Sequence, residues 1–93
     1  SVLYLDAAIT SDDTPLTLRH WRHGDRIKPF GAPFTTLVSD IFSDAKLSAN
    51  EKQRALLLCH GDTILWVVGL KNSSHYPVTN QTQRYFRLKA TSI

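Results

Sequence analysis

The basic segment LRHWRHGDRIKPFG, from Leu18 to Gly31, carries the side chains of this sequence best suited to a chemical task. Clustered guanidinium groups repel one another, and phosphate is their usual partner because its oxygens match their fork of donors. Gly24 and Asp25 form the predicted turn within the segment. We expect Asp25 to orient that turn by pairing with Arg22 or Arg26. The predicted primary phosphate contacts are Arg19, Arg22, Arg26 and Lys28.

A second basic block follows, because residues 63–93 contain basic side chains and no acidic one. We predict Lys71 and Arg87 as secondary phosphate contacts, and the two blocks form one face if their strands are neighbours. Trp21 stands between two arginines and is predicted to stack on an exposed base or ribose. Further aromatic residues available for stacking are Phe30, Tyr76 and Tyr85.

Simpler explanations compete with nucleic-acid binding. Surface lysines and arginines often serve only solubility, and aromatic side chains usually pack in the core. We adopt core packing for Phe42, Trp66 and Phe86. The remaining cations and aromatics favour binding to a phosphate backbone.

Catalysis has weaker support in the sequence. Asp40 and Asp44 lie one helical turn apart and could share a face, but such a pair is usually the solvated side of an amphipathic helix. The four glycines are isolated, so no phosphate-binding loop is present. We therefore predict no catalytic residue in this sequence.

A metal site is also disfavoured. His20, His23, Cys59 and His60 are possible zinc ligands, but neighbouring residues of a strand point to opposite faces, which separates Cys59 from His60. Cys59 is better explained as a small core residue, and the histidines as surface or loop groups. We predict no bound metal.

The composition indicates one small domain. The chain has 93 residues, 42% of them hydrophobic, and a formal net charge of +3. Its longest apolar runs are far shorter than the roughly 20 residues of a membrane-spanning helix. The single cysteine fits a reducing compartment, and the absence of methionine suggests a piece of a longer protein.

The elements that must position these residues follow from hydrophobic periodicity and turn signals. A helix is predicted from a cap at Thr35 or Thr36 to about Ala45, and Ser48 to Glu51 has the spacing of a capping box. The predicted strands are 2–9, 16–21, 56–60, 63–68 and 84–89. A hairpin turn is predicted at Gly61-Asp62, and residues 71–82 are predicted to be a polar, turn-rich stretch. Strands, two short helices, a hairpin and a last strand indicate a compact α+β domain with a mostly antiparallel or mixed sheet.

The basic turn resembles the C-terminal domain of tRNA(Ile)-lysidine synthase. The residues that carry the resemblance are Arg19, Trp21, Arg22, Gly24, Asp25, Arg26, Pro29 and Gly31, and the likeness continues through the helix from Leu37, the hairpin ending at Gly69, and Val78-Thr79 with Thr82. It covers about 16–89. Two departures are Thr35-Thr36, where the family usually has lysines, and Lys71, where it usually has arginine.

The resemblance implies a function for a longer parent enzyme. That ligase would use ATP to activate the wobble cytidine of an isoleucine tRNA as an adenylate, and lysine would displace AMP to form lysidine. The ATP site would belong to an N-terminal catalytic domain, so this chain would bind no cofactor and would hold the tRNA by its acceptor stem. The parent would be cytoplasmic and not bound to a membrane. An alternative is a protein-interaction domain that docks on its own enzyme or on a second subunit, as in a homodimer.

Overall fold

The computed structural model describes residues 1–91, which form eight short strands and two helices. All strand pairings in that range are antiparallel, which confirms the predicted α+β class. The strands are β1 Val2–Asp6, β2 Leu16–His20, β3 Arg26–Ile27, β4 Thr36–Leu37, β5 Leu56–His60, β6 Thr63–Val67, β7 Lys71–Asn72 and β8 Tyr85–Lys89; the helices are α1 Val38–Asp44 and α2 Ala49–Arg54.

The domain has three layers. A four-stranded sheet in the order β2-β5-β6-β7 lies in the middle. One face of it packs against α1 and the β3–β4 hairpin, around Phe42, which is fully buried. The other face packs against the two-stranded β1–β8 ribbon, around Leu3, Leu5 and Trp66. Both faces are covered by apolar side chains, and β5 and β6 are accordingly almost continuously apolar.

Local sequence signals explain the best-predicted elements. Ser48 accepts a hydrogen bond from the Glu51 backbone N–H while the Glu51 carboxylate accepts one from the Ser48 N–H, so the capping box is confirmed. The β5–β6 hairpin is also confirmed, and Gly61 at its turn has a φ of 59°. The pairing shifts register between Leu58 and Cys59.

Several predicted boundaries were wrong. The first strand ends at Asp6, whose carboxylate accepts a hydrogen bond from the Ala8 N–H and begins a 3₁₀ turn. Neither Thr35 nor Thr36 caps α1, because Thr36 lies in β4 and Leu37 occupies the cap position without a side-chain hydrogen bond. The strand β7 was missed inside the stretch predicted as turn.

The core-packing prediction for three aromatic residues has a mixed outcome. Phe42 and Trp66 are buried as predicted, but Phe86 is 40% exposed. Phe86 is paired with buried Leu5 and so faces inward from the ribbon, but the middle sheet does not cover it completely.

Candidate nucleic-acid interface

The turn of the basic segment is held by Asp25. Its carboxylate accepts two hydrogen bonds from the Arg19 guanidinium, at 2.8 and 3.0 Å, and one from the Arg22 backbone N–H at 2.8 Å. The prediction that Asp25 pairs with the Arg22 or Arg26 side chain was therefore wrong. The turn folds Asp25 back onto strand β2, where Arg19 lies, and the Arg22 side chain remains exposed.

The ion pair is partly shielded from water. The side chains of Arg19 and Asp25 are 23% and 13% exposed. The Arg19 hydrogen bonds lower the pKa of Asp25, with a further lowering from the Arg22 N–H, against the opposing effect of burial. Asp25 in turn raises the pKa of Arg19. Arg19 is thus committed to the turn and less available to a ligand than its position in the sequence suggests.

The backbone of Asp25 links the turn to helix α1. Its carbonyl accepts a hydrogen bond from the Val38 N–H at 2.9 Å, and its own N–H donates to the Arg22 carbonyl at 3.1 Å. Val38 is the first residue of α1, so the turn supplies the acceptor that no capping side chain provides. Gly24, at a φ of 91°, permits the left-handed backbone that this turn needs.

The chain displays two cations immediately after the turn. Ile27 is 1% exposed and packs into the core, while Arg26 and Lys28 on either side of it are exposed. Because successive residues of an extended chain point in opposite directions, burial of Ile27 turns both cations outward. Arg26 Nε also donates to Thr35 Oγ1 at 2.9 Å, and Nη2 to the Thr35 carbonyl at 3.3 Å, which orients its guanidinium.

Sequence reasoning did not predict this partner of Arg26. Thr35 lies nine positions along the chain, and no local pattern joins the two residues. Their contact depends on the pairing of β3 with β4, which aligns Ile27 with Thr36.

Lys28 and Lys71 lie on two segments joined by hydrogen bonds. Pro29 and Ser73 form an antiparallel bridge, the Phe30 N–H donates to the Asn72 carbonyl at 3.0 Å, and the Ser74 N–H donates to the Lys28 carbonyl at 3.1 Å. Lys71 begins β7, at the edge of the middle sheet opposite to β2. The basic segment therefore runs from the β2 edge of the middle sheet to its β7 edge.

The Arg19–Asp25 pair is the only contact within 4.0 Å between a basic Lys or Arg side chain and a carboxylate in the part of the chain that the structure describes. The cations of the basic segment beyond Arg19 therefore have no neutralising carboxylate within that range. We call Arg22, Arg26, Lys28 and Lys71 the basic surface.

Trp21, which was predicted to stack on an exposed base or ribose, lies against the core of the domain. Its ring packs edge-on against Phe42, with centroids 5.5 Å apart, and is partly buried against the core. The indole Nε1 is buried without an acceptor within residues 1–91. Trp21 thus anchors the start of the turn, and its placement favours packing over contact with a base.

Arg87 lies in another layer. It is exposed on β8, opposite Tyr4 of β1, and within residues 1–91 β8 pairs with β1 alone while β2 pairs with β5. The condition for one shared basic face, that the strands of the two blocks are neighbours, is therefore met at Lys71, whose strand β7 lies beside the basic segment, but not at Arg87. Arg87 does not lie on the strands that carry the basic surface.

The other candidate sites remain dispersed. Among the described residues no group of three or more His, Cys, Asp or Glu side chains is placed to hold a metal ion. Cys59 is 1% exposed, which confirms its interpretation as a core residue, and burial raises the pKa of its thiol. Asp40 and Asp44 are both exposed. No helix within residues 1–91 combines the length and apolar character needed to cross a membrane.

Known proteins are similar to this chain in sequence and in fold. The model of the TilS substrate C-terminal domain matches residues 16–89. The chain is 47% identical over 72 residues to the tRNA(Ile)-lysidine synthase of Parabacteroides distasonis, and 32% identical over 74 residues to that of Clostridium acetobutylicum. These alignments cover 77% and 80% of this chain but 16% of each relative. A crystal structure of a TilS C-terminal domain superposes with a TM-score of 0.77 at 33% identity, covering 92% of this chain and 65% of the other.

Proposed function

This chain belongs to the family of the TilS substrate C-terminal domain, and from that premise we propose that it binds the acceptor stem of an isoleucine tRNA through its basic surface. The relatives bear the name tRNA(Ile)-lysidine synthase.

The single observation that carries the proposal is the outward display of cations around one buried residue. Ile27 is fixed in the core, and Arg26 and Lys28 are exposed on both sides of it without a carboxylate partner among the described residues. The Asp25 turn holds Arg22 nearby. A group of exposed cations suits a phosphate backbone, because positioning contacts to phosphate need charge but no base reading.

We assign distinct roles within the basic surface. Arg22, Arg26 and Lys28 are the primary phosphate contacts, and Lys71 is a secondary one. Arg19 and Asp25, with Gly24, position the turn. Arg87 becomes a contact only if the RNA also reaches the β1–β8 ribbon.

The wider proposal concerns a longer enzyme that contains this domain. That enzyme would act in the cytoplasm, with an N-terminal catalytic domain that uses ATP and lysine to convert the wobble cytidine to lysidine. The domain described here would contribute no catalytic group. It would hold one end of the tRNA so that the anticodon reaches a distant site, and positioning of this kind affects rate as well as affinity.

Salt dependence tests the proposal directly. Binding of the 93-residue chain to an RNA minihelix with the isoleucine acceptor-stem sequence would be measured at about 50 and 200 mM salt. Four phosphate contacts should reduce affinity by about two decades over that range, because each contact releases condensed counterions. A minihelix that does not bind at low salt would contradict the proposal.

A second candidate function is docking of the domain on its own enzyme or on a second subunit. The observation in its favour is a cavity of about 320 Å³ beside the β2 edge, lined in part by Leu18, Leu56 and Leu88. Leu18 is 61% exposed and Leu56 is 37% exposed. Under this hypothesis Leu18→Ser impairs the full enzyme while leaving RNA affinity of the domain unchanged, whereas an unimpaired enzyme would exclude a docking role for this surface.

A further inference from the structure

A cleft of about 360 Å³ lies between β1 and the segment that follows β7. It is distinct from the basic turn, and its wall at Tyr4 lies before the region matched by the family model, which starts at residue 16. Its volume falls at the small end of the roughly 300–1,000 Å³ typical of ligand pockets. The space suits one small planar group rather than an extended chain.

Two exposed aromatic residues line the cleft. Phe30 is 64% exposed, and Tyr4 is 48% exposed with its ring edge-on to that of Tyr85, at a centroid distance of 5.8 Å. The Phe30 N–H donates to the Asn72 carbonyl, so the backbone that carries this ring is held against β7. Exposed aromatic rings on a fixed backbone lose little further freedom when a planar ligand stacks on them.

Polar groups line the same cleft. Asn72, Ser73 and His75 contribute amide, hydroxyl and imidazole groups. The Ser73 hydroxyl accepts a hydrogen bond from the His75 N–H at 3.2 Å, and in the described part of the chain its own proton is not donated. Donors and acceptors beside aromatic walls are the combination that recognises the edge of a nucleobase.

The cleft adjoins the basic surface. The bridge between Pro29 and Ser73 places Lys28 opposite Ser74 and Phe30 opposite Asn72. Lys28 and Phe30 are the two neighbours of Pro29 in the chain, so both residues lie where the basic segment meets the segment that follows β7. An RNA whose phosphates contact Lys28 would therefore present its next unstacked base near Phe30.

From this arrangement we infer that the cleft binds one unpaired nucleotide of the RNA, stacked on Phe30 beside Tyr4 with its base edge towards Asn72, Ser73 and His75. The inference rests on the proposed RNA-binding function and adds a second contact to it. Duplex phosphates would bind the basic surface, and a single-stranded extension would enter the cleft. Stacking of this kind tolerates different bases, because each base has an aromatic face.

The test compares two RNAs. One is a blunt-ended minihelix, and the other is the same minihelix with about four unpaired 3′ nucleotides, a length within the known range of single-strand sites. Dissociation constants would be measured by fluorescence anisotropy for the 93-residue chain and for Phe30→Ala, Tyr4→Ala and Phe34→Ala. Phe34 is the matched control, since it is 67% exposed but does not line the cleft.

We expect the extension to tighten binding of the unmodified chain by about 5- to 150-fold, the value of one stacked base. Phe30→Ala and Tyr4→Ala should each reduce that gain without changing affinity for the blunt RNA, and Phe34→Ala should preserve it. Equal binding of both RNAs by the unmodified chain would overturn the cleft inference and leave the basic surface standing. A gain that survives both cleft substitutions, or an equal loss on both RNAs, would also overturn it. Binding of neither RNA would overturn the proposed function itself.

Discussion

Arg19 and Asp25 form a two-point ion pair, with Nη1–Oδ2 at 2.8 Å and Nη2–Oδ1 at 3.0 Å, that ties strand β2 to the following turn. The same carboxylate accepts the Arg22 N–H, and the backbone of Asp25 accepts the first N–H of helix α1. One residue thus joins a strand, a turn and a helix. Because of this ion pair, Arg19 positions the turn, and the other arginines of the basic segment remain available to a phosphate ligand.

Asp25→Asn should lower the free energy of unfolding by about 2 kcal/mol, because hydrogen bonds to charged partners are worth about 1.5–3 kcal/mol each and asparagine replaces one of the two acceptor oxygens with an NH₂ donor. Urea denaturation measures the effect. Asp13→Asn is the control, since Asp13 is exposed and has no hydrogen bond to its carboxylate in the described part of the chain. Equal stability of the two variants would show that the ion pair contributes nothing.

Acid should weaken the domain through Asp25. Its pKa is lower in the folded chain than the ordinary value of 3.8, chiefly because of the Arg19 hydrogen bonds. A lowered pKa means that the folded state binds fewer protons than the unfolded state, so the stabilisation is present above about pH 4 and is lost as the pH falls through the folded pKa. Denaturation curves between about pH 6 and 2 should show this loss, and the loss should be smaller in Asp25→Asn. Parallel curves for the two proteins would argue against the assignment.

Arg22→Ala and Lys28→Ala should each weaken minihelix binding by about 1–3 kcal/mol and reduce the salt slope by about one contact. Neither side chain makes a hydrogen bond within residues 1–91, so stability should change by less than about 0.5 kcal/mol. Arg54→Ala, at an exposed arginine of α2, is the control. Anisotropy titrations at two salt concentrations provide the comparison, and an equal loss in the Arg54 variant would indicate nonspecific charge attraction. Arg26 is a less clean test because its guanidinium also binds Thr35.

Trp21→Ala should destabilise the fold by about 2–4 kcal/mol, because it opens a space against Phe42. This cost is slightly below the cost of about 3–5 kcal/mol for truncating a fully buried Trp or Phe, because Trp21 is only partly buried. Trp21→Leu should keep part of the apolar packing but present no aromatic face, and it should bind RNA within about twofold of the unmodified chain, a difference far below one stacking contact. Thermal unfolding and RNA titration of both variants separate packing from stacking. A folded Trp21→Leu protein with strongly reduced RNA affinity would restore the original stacking prediction.

Gly24→Ala should cost about 1–2 kcal/mol through backbone strain alone. Gly24 has a φ of 91°, and an added Cβ would have no neighbour within 4 Å, so no steric clash contributes. Gly24→Asn should cost less, because asparagine visits the left-handed region more readily. Urea denaturation of the pair checks the order, and an alanine variant as stable as the asparagine variant would contradict the role assigned to this backbone angle.

The sequence alone determined the elements whose signals are local. The capping box at Ser48 and Glu51 spans four residues, and the Gly61 turn lies between two apolar strands, so hydrogen bonds and backbone angles a few positions apart decided both. The class of the domain followed from the order of these elements. The basic segment was equally visible because its charge is contiguous.

Tertiary structure decided which of those charged and aromatic side chains are free. Asp25 pairs with Arg19 across a turn, Trp21 packs on Phe42 of a later helix, and Arg87 lies on the separate β1–β8 ribbon. Each outcome depends on contacts between segments distant in sequence, where burial and pairing geometry override the pattern that neighbouring residues make. The cleft at Tyr4 and Phe30 likewise exists only because β1 and the segment after β7 meet in the folded chain.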